Sequence, residues 1–177
     1  MNKRDFITGA LALPALAAHA APGARMYSGP GLLTICGDVG RTNRGPLDPA
    51  LDQMMVKHGL HFTRGFVFDT AALHGLPTVS IHPTLEYDGK RHLLSGPLLT
   101  TVLEAAGVAG TGTMQVGLHA VDGYRVELPL PQLRRDRMIV ATHMDGRPLA
   151  LGGLGPQWAV HEADSLPEFR DKPLNER

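Results

Sequence analysis

Histidine offers this chain more chemistry than any other residue type. There are nine in 177 residues, against a single cysteine, Cys36. One cysteine excludes an intrachain disulfide and a Cys-rich zinc cage. Imidazoles can move protons near neutral pH and ligate transition metals. No His-Glu-x-x-His occurs and no pair has diagnostic metal-ligand spacing, so a zinc hydrolase would rest on the number of histidines alone. His58 and His61 fall at a helix end, where an imidazolium meets the C-terminal dipole. His119, His143 and His161 each lie near a strand end close to Asp122, Asp145 and Glu162, a setting that orients an imidazole. His82 and Thr84 project, with Thr78 and Ser80, from one face of a strand whose other face carries Val79, Ile81 and Leu85. That polar face reads either as a site or as an ordinary solvated surface.

Other chemistry has weaker signals. There is no Gly-x-Ser-x-Gly elbow, and Ser95, in Leu94-Ser95-Gly96-Pro97, reads as the entry to a helix rather than a nucleophile. Arg134-Arg135-Asp136-Arg137 reads as an anion site or as a solvated turn between two strands, and Arg41 and Arg44 invite the same two readings. Lys plus Arg equals Asp plus Glu at 17 each, so no basic footprint points to nucleic acid or to an anionic membrane.

The elements that must position these residues are short. Gly (21) and Pro (14) together exceed the ordinary share of roughly 12% and argue against a helix bundle. Leu32 to Gly37 reads as a strand. Asp48 and Pro49 open a helix that runs through Lys57 or His58 to Gly59, with Leu51, Met54, Met55 and His58 as its core-facing stripe. Phe66-Val67-Phe68 reads as a strand, and Asp69 caps a helix through Leu73. Pro97 to Ala106 predicts a helix with Leu98, Thr101, Val102 and Ala105 along one face, stopped by Gly107. Three Asp-Gly pairs, 88–89, 122–123 and 145–146, predict hairpins with type I′ turns. Their flanks are Thr78 to Tyr87 with Lys90 to Ser95, Met114 to Val121 with Tyr124 to Leu130, and Met138 to Met144 with Arg147 to Leu151. No βαβαβ alternation, Gly-x-Gly-x-x-Gly run or phosphate loop occurs, which argues against a nucleotide fold. The expected class is α+β, mostly β, with hairpins and a few short helices.

Residues 1–20 read as an export signal: Asn2-Lys3-Arg4 is basic, Ile7 to Ala17 is a short apolar run, and Ala18-His19-Ala20 has the form of a cleavage site. An amphipathic or buried N-terminal helix is the other reading. Lys3-Arg4-Asp5-Phe6-Ile7 resembles the twin-arginine motif with Lys in the first arginine position, so the route is Sec or Tat-like and the expected location periplasmic or otherwise exported. Residues 21–30 read as a linker and 31–177 as one domain.

The succession of short motifs has a counterpart. Ser95-Gly96-Pro97-Leu98-Leu99, then Val102-Leu103-Glu104-Ala105-Ala106-Gly107, resembles the oxidoreductase molybdopterin-binding domain of the sulfite oxidase superfamily. Leu33 to Gly37 looks like that family's opening strand, Phe68 to Leu73 through Pro77 like its next helix, Val121-Asp122-Gly123-Tyr124 like its Asp-Gly-Tyr turn, and Ile139 to Pro148 like its following hairpin. Gly155-Pro156 with Trp158-Ala159-Val160 matches the segment after it. The resemblance implies the sulfite-oxidase-type fold, a molybdopterin (molybdenum) cofactor, a small-molecule ligand and a protein redox partner, with at most peripheral membrane contact. In catalytic members a cysteine on the strand ahead of Ser-Gly-Pro ligates the metal. Here that strand, Thr78 to Thr84, has none, and Cys36 does not match the position. The chain therefore looks like a short, cysteine-lacking branch. By position, the residues bordering the family pocket are His82, Thr84, Ser95, Gly96, Asp122 and Tyr124, with Arg41 and Arg44 as candidates for the cofactor phosphate. No metal ligand or catalytic residue is assigned. The family's final strand has no counterpart before Arg177, which reads as a shortened chain or a sheet completed by another chain. A cofactor-free ligand- or partner-binding protein on the same fold is the alternative function.

Overall fold

The computed structural model describes residues 27–110 and 112–176. The segment read as an export signal lies outside the described residues, as does most of the linker. Strand β1, Leu33–Cys36, pairs antiparallel with β2, Gly65–Phe68, from Leu33 opposite Phe68 to Cys36 opposite Gly65. The outer edge of β2 is closed by the Asn43 side chain and, at Gly65, by the backbone of Asn43 and Arg44. The Asn43 amide donates to the Val67 carbonyl (2.8 Å) and its oxygen accepts from the Val67 N–H (2.7 Å), replacing a missing strand. Asp69 caps helix α2, Thr70–His74, by accepting from the Ala72 N–H at 2.9 Å, as its sequence position predicts. Its second oxygen accepts from the Ser28 and Gly29 amides and holds the start of the described chain against that helix.

The helix before β2 departs from expectation. Helix α1 is only Gln53–Lys57, and it buries no residue. Asp48 spends its carboxylate on the Ala50 and Leu51 amides in a local turn, so the helix starts four residues later than Pro49 predicts. Leu51 (70% exposed) and Met54 (52% exposed) face out, so the stripe is not core.

Strands β3, Thr78–Ile81, and β4, Leu94–Pro97, form a hairpin that continues in register beyond β3 through the Thr84–Arg91 bridge. Its turn holds four residues, Glu86 to Gly89, inside the Leu85 N–H to Lys90 carbonyl bond. Helix α3, Leu99–Ala105, buries Leu99, Val102 and Leu103, a face rotated from the one the sequence pattern selects. Strands β5, Gln115–His119, and β6, Arg125–Pro129, join through a three-residue loop closed by Ala120 and Tyr124, with Gly123 at φ +95°. Helix α4, Leu130–Arg135, occupies the place expected for a solvated turn. Leu130 and Leu133 are buried and Asp136 ends the helix in a buried position, so Arg134 and Arg135 form a helix's last turn.

Strands β7, Ile139–Ala141, and β8, His143–Met144, are one strand interrupted at Thr142. β8 pairs with β4 and with β9, Arg147–Pro148, and β7 pairs with β10, Trp158–Val160. Between the Ser95–His143 pair and the Leu98–Ile139 bridge, the three residues Val140 to Thr142 oppose the two residues Gly96 and Pro97. That extra residue is a bulge. It turns the Val140 carbonyl onto Gly96, where a Cβ would overlap the carbonyl oxygen and stand 2.9 Å from the Ala141 Cα. Only glycine fits.

Of the three Asp-Gly pairs, only Asp145-Gly146 makes the expected two-residue turn, with both residues at positive φ (+52° and +78°). The others close four- and three-residue loops, each with glycine alone in the left-handed region.

β7 lies between two hydrophobic clusters. Val140 joins Phe68, Leu73, Leu99, Val102, Leu130 and Leu133, while Ile139 and Ala141 point to the opposite cluster with Ile81, Leu94 and Leu149. Strand alternation thus welds the two halves of the core through three residues. The architecture is α+β and mostly β, in small antiparallel sheets, as the sequence predicts.

Candidate functional site

The register of β3, β4 and β8 lays Ser80 opposite Ser95 and Ser95 opposite His143. Residues directly opposite in a sheet share a face, so these side chains form one polar row. Ser80 is exposed, and Ser95 and His143 are half-buried. The opposite face carries Val79, Ile81, Leu94 and Met144, which pack into the second cluster. His74, last residue of α2, sets its ring 5.2 Å from that of His143 at a 49° tilt.

Thr142, at the break between β7 and β8, is 5% exposed and organises this row. Its amide donates to the Ser95 carbonyl (2.9 Å). Its hydroxyl lies 3.4 Å from the same carbonyl and 2.9 Å from His143 Nδ1. A hydroxyl has one proton. Donated to the carbonyl, it leaves the oxygen to accept from Nδ1–H, and the Nε2 of a neutral His143 is then an acceptor. The arrangement therefore presents two serine hydroxyls and a fixed imidazole, which suits hydrogen bonding to a polar heterocycle.

The sequence-predicted residues fall in four places. Ser95 belongs to the row, and Gly96 follows it in β4. His82 and Thr84 lie beyond the end of β3, where the His82 carbonyl accepts from Arg91 Nε (3.0 Å) and the Thr84 amide donates to Asp164 (2.7 Å). Asp122 and Tyr124 are exposed on the β5–β6 loop, with Asp122 accepting from the Tyr124 amide at 2.9 Å. Arg41 and Arg44 lie on the segment between β1 and α1. Arg41 donates to the Ala105 carbonyl at 3.0 Å and lies over Phe66. Arg44 is buried, pairs with Asp52 and lies over Phe62. Both guanidiniums are engaged by the protein itself.

The three acidic residues expected to orient His119, His143 and His161 bond elsewhere. Asp145 binds His92 rather than His143, and Glu162 binds Arg91 rather than His161. His161 keeps a buried Nε2 with no partner among the described residues, and its burial holds the imidazole below its ordinary pKa despite the charges of Asp136 and Glu168. No bond joins His119 to Asp122 among those described for either residue. Sequence reading passed over His74 and His92, because each acquires its partners across elements and neither sits in a local motif. No group of three or more His, Cys, Asp or Glu residues forms a metal cluster among the described residues.

The row fits a polar ring, and it does not fit a thiolate-ligated metal. Cys36 lies at the end of β1, paired with Gly65 in a different sheet from β3 and β4. Cys36 is exposed, and partial desolvation of its thiol pushes the pKa up, away from the thiolate form.

No curated protein matches the chain. Residues 90–152, which run from the end of the four-residue turn through β9 and include Ser95, Thr142 and His143, match the family model described as the oxidoreductase molybdopterin binding domain.

Proposed function

We propose that this chain is an exported, periplasmic binding domain that holds a molybdopterin-type cofactor on the polar row of β3, β4 and β8. The observation that carries the reading is a coincidence of place. The family match spans residues 90–152, and the hydrogen-bonding groups at Ser95, Thr142 and His143 fall inside it. In the proposed mode Ser95 and His143 bind the pterin ring edge. Gly96 lets the backbone of β4 lie close to β7, and His82 and Thr84 border the row at the end of β3. Asp122 and Tyr124 contact the cofactor from the β5–β6 loop. Arg41 reaches the phosphate only by leaving the Ala105 carbonyl, and Arg44 only by leaving Asp52, so each contact costs an existing one.

A molybdenum–pterin group supplies two-electron oxygen-atom transfer in proteins that ligate it for that purpose. With no cysteine on β3, this chain offers no thiolate to complete such a centre, and the proposed role is binding, not turnover. A small-molecule or partner-binding protein without the cofactor is the second reading, favoured by the engagement of both arginines.

Expression in a host that makes the cofactor, followed by measurement of molybdenum and pterin in the purified protein, separates the two. Near-stoichiometric pterin supports the first reading. Pterin-free protein supports the second. The Lys3-Arg4 segment and the apolar run to Ala17 support export, and fractionation with sequencing of the mature N-terminus tests it: a start near Ala21 in the periplasm agrees, and a cytoplasmic chain retaining residues 1–20 contradicts it.

A further inference from the structure

Two of the Asp-Gly turns are joined by one imidazole. His92 Nδ1 lies 2.7 Å from Asp145 Oδ2, in the β8–β9 turn, and His92 Nε2 lies 3.0 Å from Asp88 Oδ2, in the β3–β4 turn. Ionised carboxylates have no proton to give, so both ring nitrogens must donate, and the ring that makes both bonds is an imidazolium. The side chain is 18% exposed and sits in the wall of a depression of about 470 Å³ formed also by Leu85, Tyr87, Met144, Gly153 and Leu154. Each carboxylate is anchored again by its own turn: Asp145 accepts from the Leu93 amide (3.0 Å) and Asp88 from the Lys90 amide (3.0 Å).

We propose that Asp88, His92 and Asp145 form a pH-operated latch that fixes the Glu86–Gly89 turn over this depression and releases it when the imidazolium loses a proton. A neutral imidazole keeps one N–H. The shorter bond, to Asp145, retains it, and the Nε2 lone pair then faces the Asp88 carboxylate. The bond across the two turns is replaced by repulsion, reinforced by the two carboxylates themselves. The turn that loses its tie carries Tyr87, which is 69% exposed and forms one rim of the depression. Groups facing the ring are accounted for on each side: Asp88, with the Lys90 charge near it, and Tyr87 from the β3–β4 turn; Asp145 from the β8–β9 turn; and Gly153 and Leu154, which bring no charge. The two carboxylates displace the His92 pKa upward, so the latch stays closed to a higher pH than a free imidazole would allow.

Nitrogen-15 NMR of the intact protein tests this, reading the His92 ring nitrogens and the backbone order of residues 86–89 against pH. Expected are two protonated ring nitrogens at pH 6, deprotonation above the ordinary value of about 6.5 that leaves the Nδ1–H form, and turn order parameters falling over the same range from about 0.85 toward 0.6. Asp88→Ala, which spares the Asp145 bond, should leave the turn mobile at every pH, and His92→Gln should remove the pH dependence. A singly protonated ring at pH 6, or a turn equally ordered on both sides of the titration, overturns the latch. The measurement is independent of whether a cofactor binds.

Discussion

Thr142 is nearly fully buried, and its hydroxyl stands between the Ser95 carbonyl and His143 Nδ1. Replacing it with valine keeps the shape, removes that link and leaves Nδ1 without its partner. Thr142→Val should therefore cost about 1 kcal/mol in urea unfolding. It should also lower cofactor occupancy if His143 is a pterin contact, because the ring loses the partner that sets its orientation. An unchanged unfolding midpoint would show that the hydroxyl does nothing for the strand break. Cys36 belongs to the same scale. A single residue type missing from β3, with the one thiol of the chain placed in another sheet, separates binding from metal ligation in this account.

At the scale of elements, the bulge between β4 and β7 is the feature on which the row depends. A methyl group at position 96 would strike backbone, which cannot rotate away, so Gly96→Ala should cost at least about 3 kcal/mol, at the upper end for overpacking. A loss below about 1 kcal/mol in thermal or urea unfolding would contradict the bulge geometry. Elements that declare themselves locally were legible in the sequence: β1, β2, the Asp69 cap, α3 and the existence of all three hairpins. What was not legible depends on partners distant in sequence. Nothing in Met138 to Met144 tells that both faces of the strand are covered by core clusters or that Thr142 breaks the strand. The Met54 stripe has helical spacing, yet α1 buries none of it, because spacing reports a face and not what covers it. The Arg134–Arg137 run hides Leu130 and Leu133, whose burial makes the segment helical. In the candidate site, Ser95 and Gly96 were readable from the motif, whereas Thr142 and His74 enter the row only through tertiary packing.

For the whole molecule, titrating groups set opposing limits on stability. His92 has a raised pKa because Asp145 and Asp88 hydrogen-bond it, so its contribution is full below the unfolded value of about 6.5 and is lost as pH rises through the folded value. His161 has a lowered pKa because it is buried, so it costs stability as pH falls below about 6.5 through its folded value. Asp69, Asp88 and Asp145 are held low by hydrogen bonds, from the Ala72 amide for Asp69 and from His92 for the other two. Their contributions hold above about 3.9 and vanish as pH falls through the depressed values. Stability should therefore decline on both sides of the ordinary histidine value of about 6.5, and His92→Gln should flatten the alkaline decline while leaving the acid limb set by Asp69 and His161. A variant whose alkaline limb matches wild type would remove His92 from that role. The same molecule is proposed to carry a pterin cofactor across β3, β4 and β8, and the content of the purified protein tests that most directly. Protein from a cofactor-producing host should contain close to one pterin per chain, falling several-fold in His143→Ala. Folded protein that is free of pterin when made in such a host would contradict it.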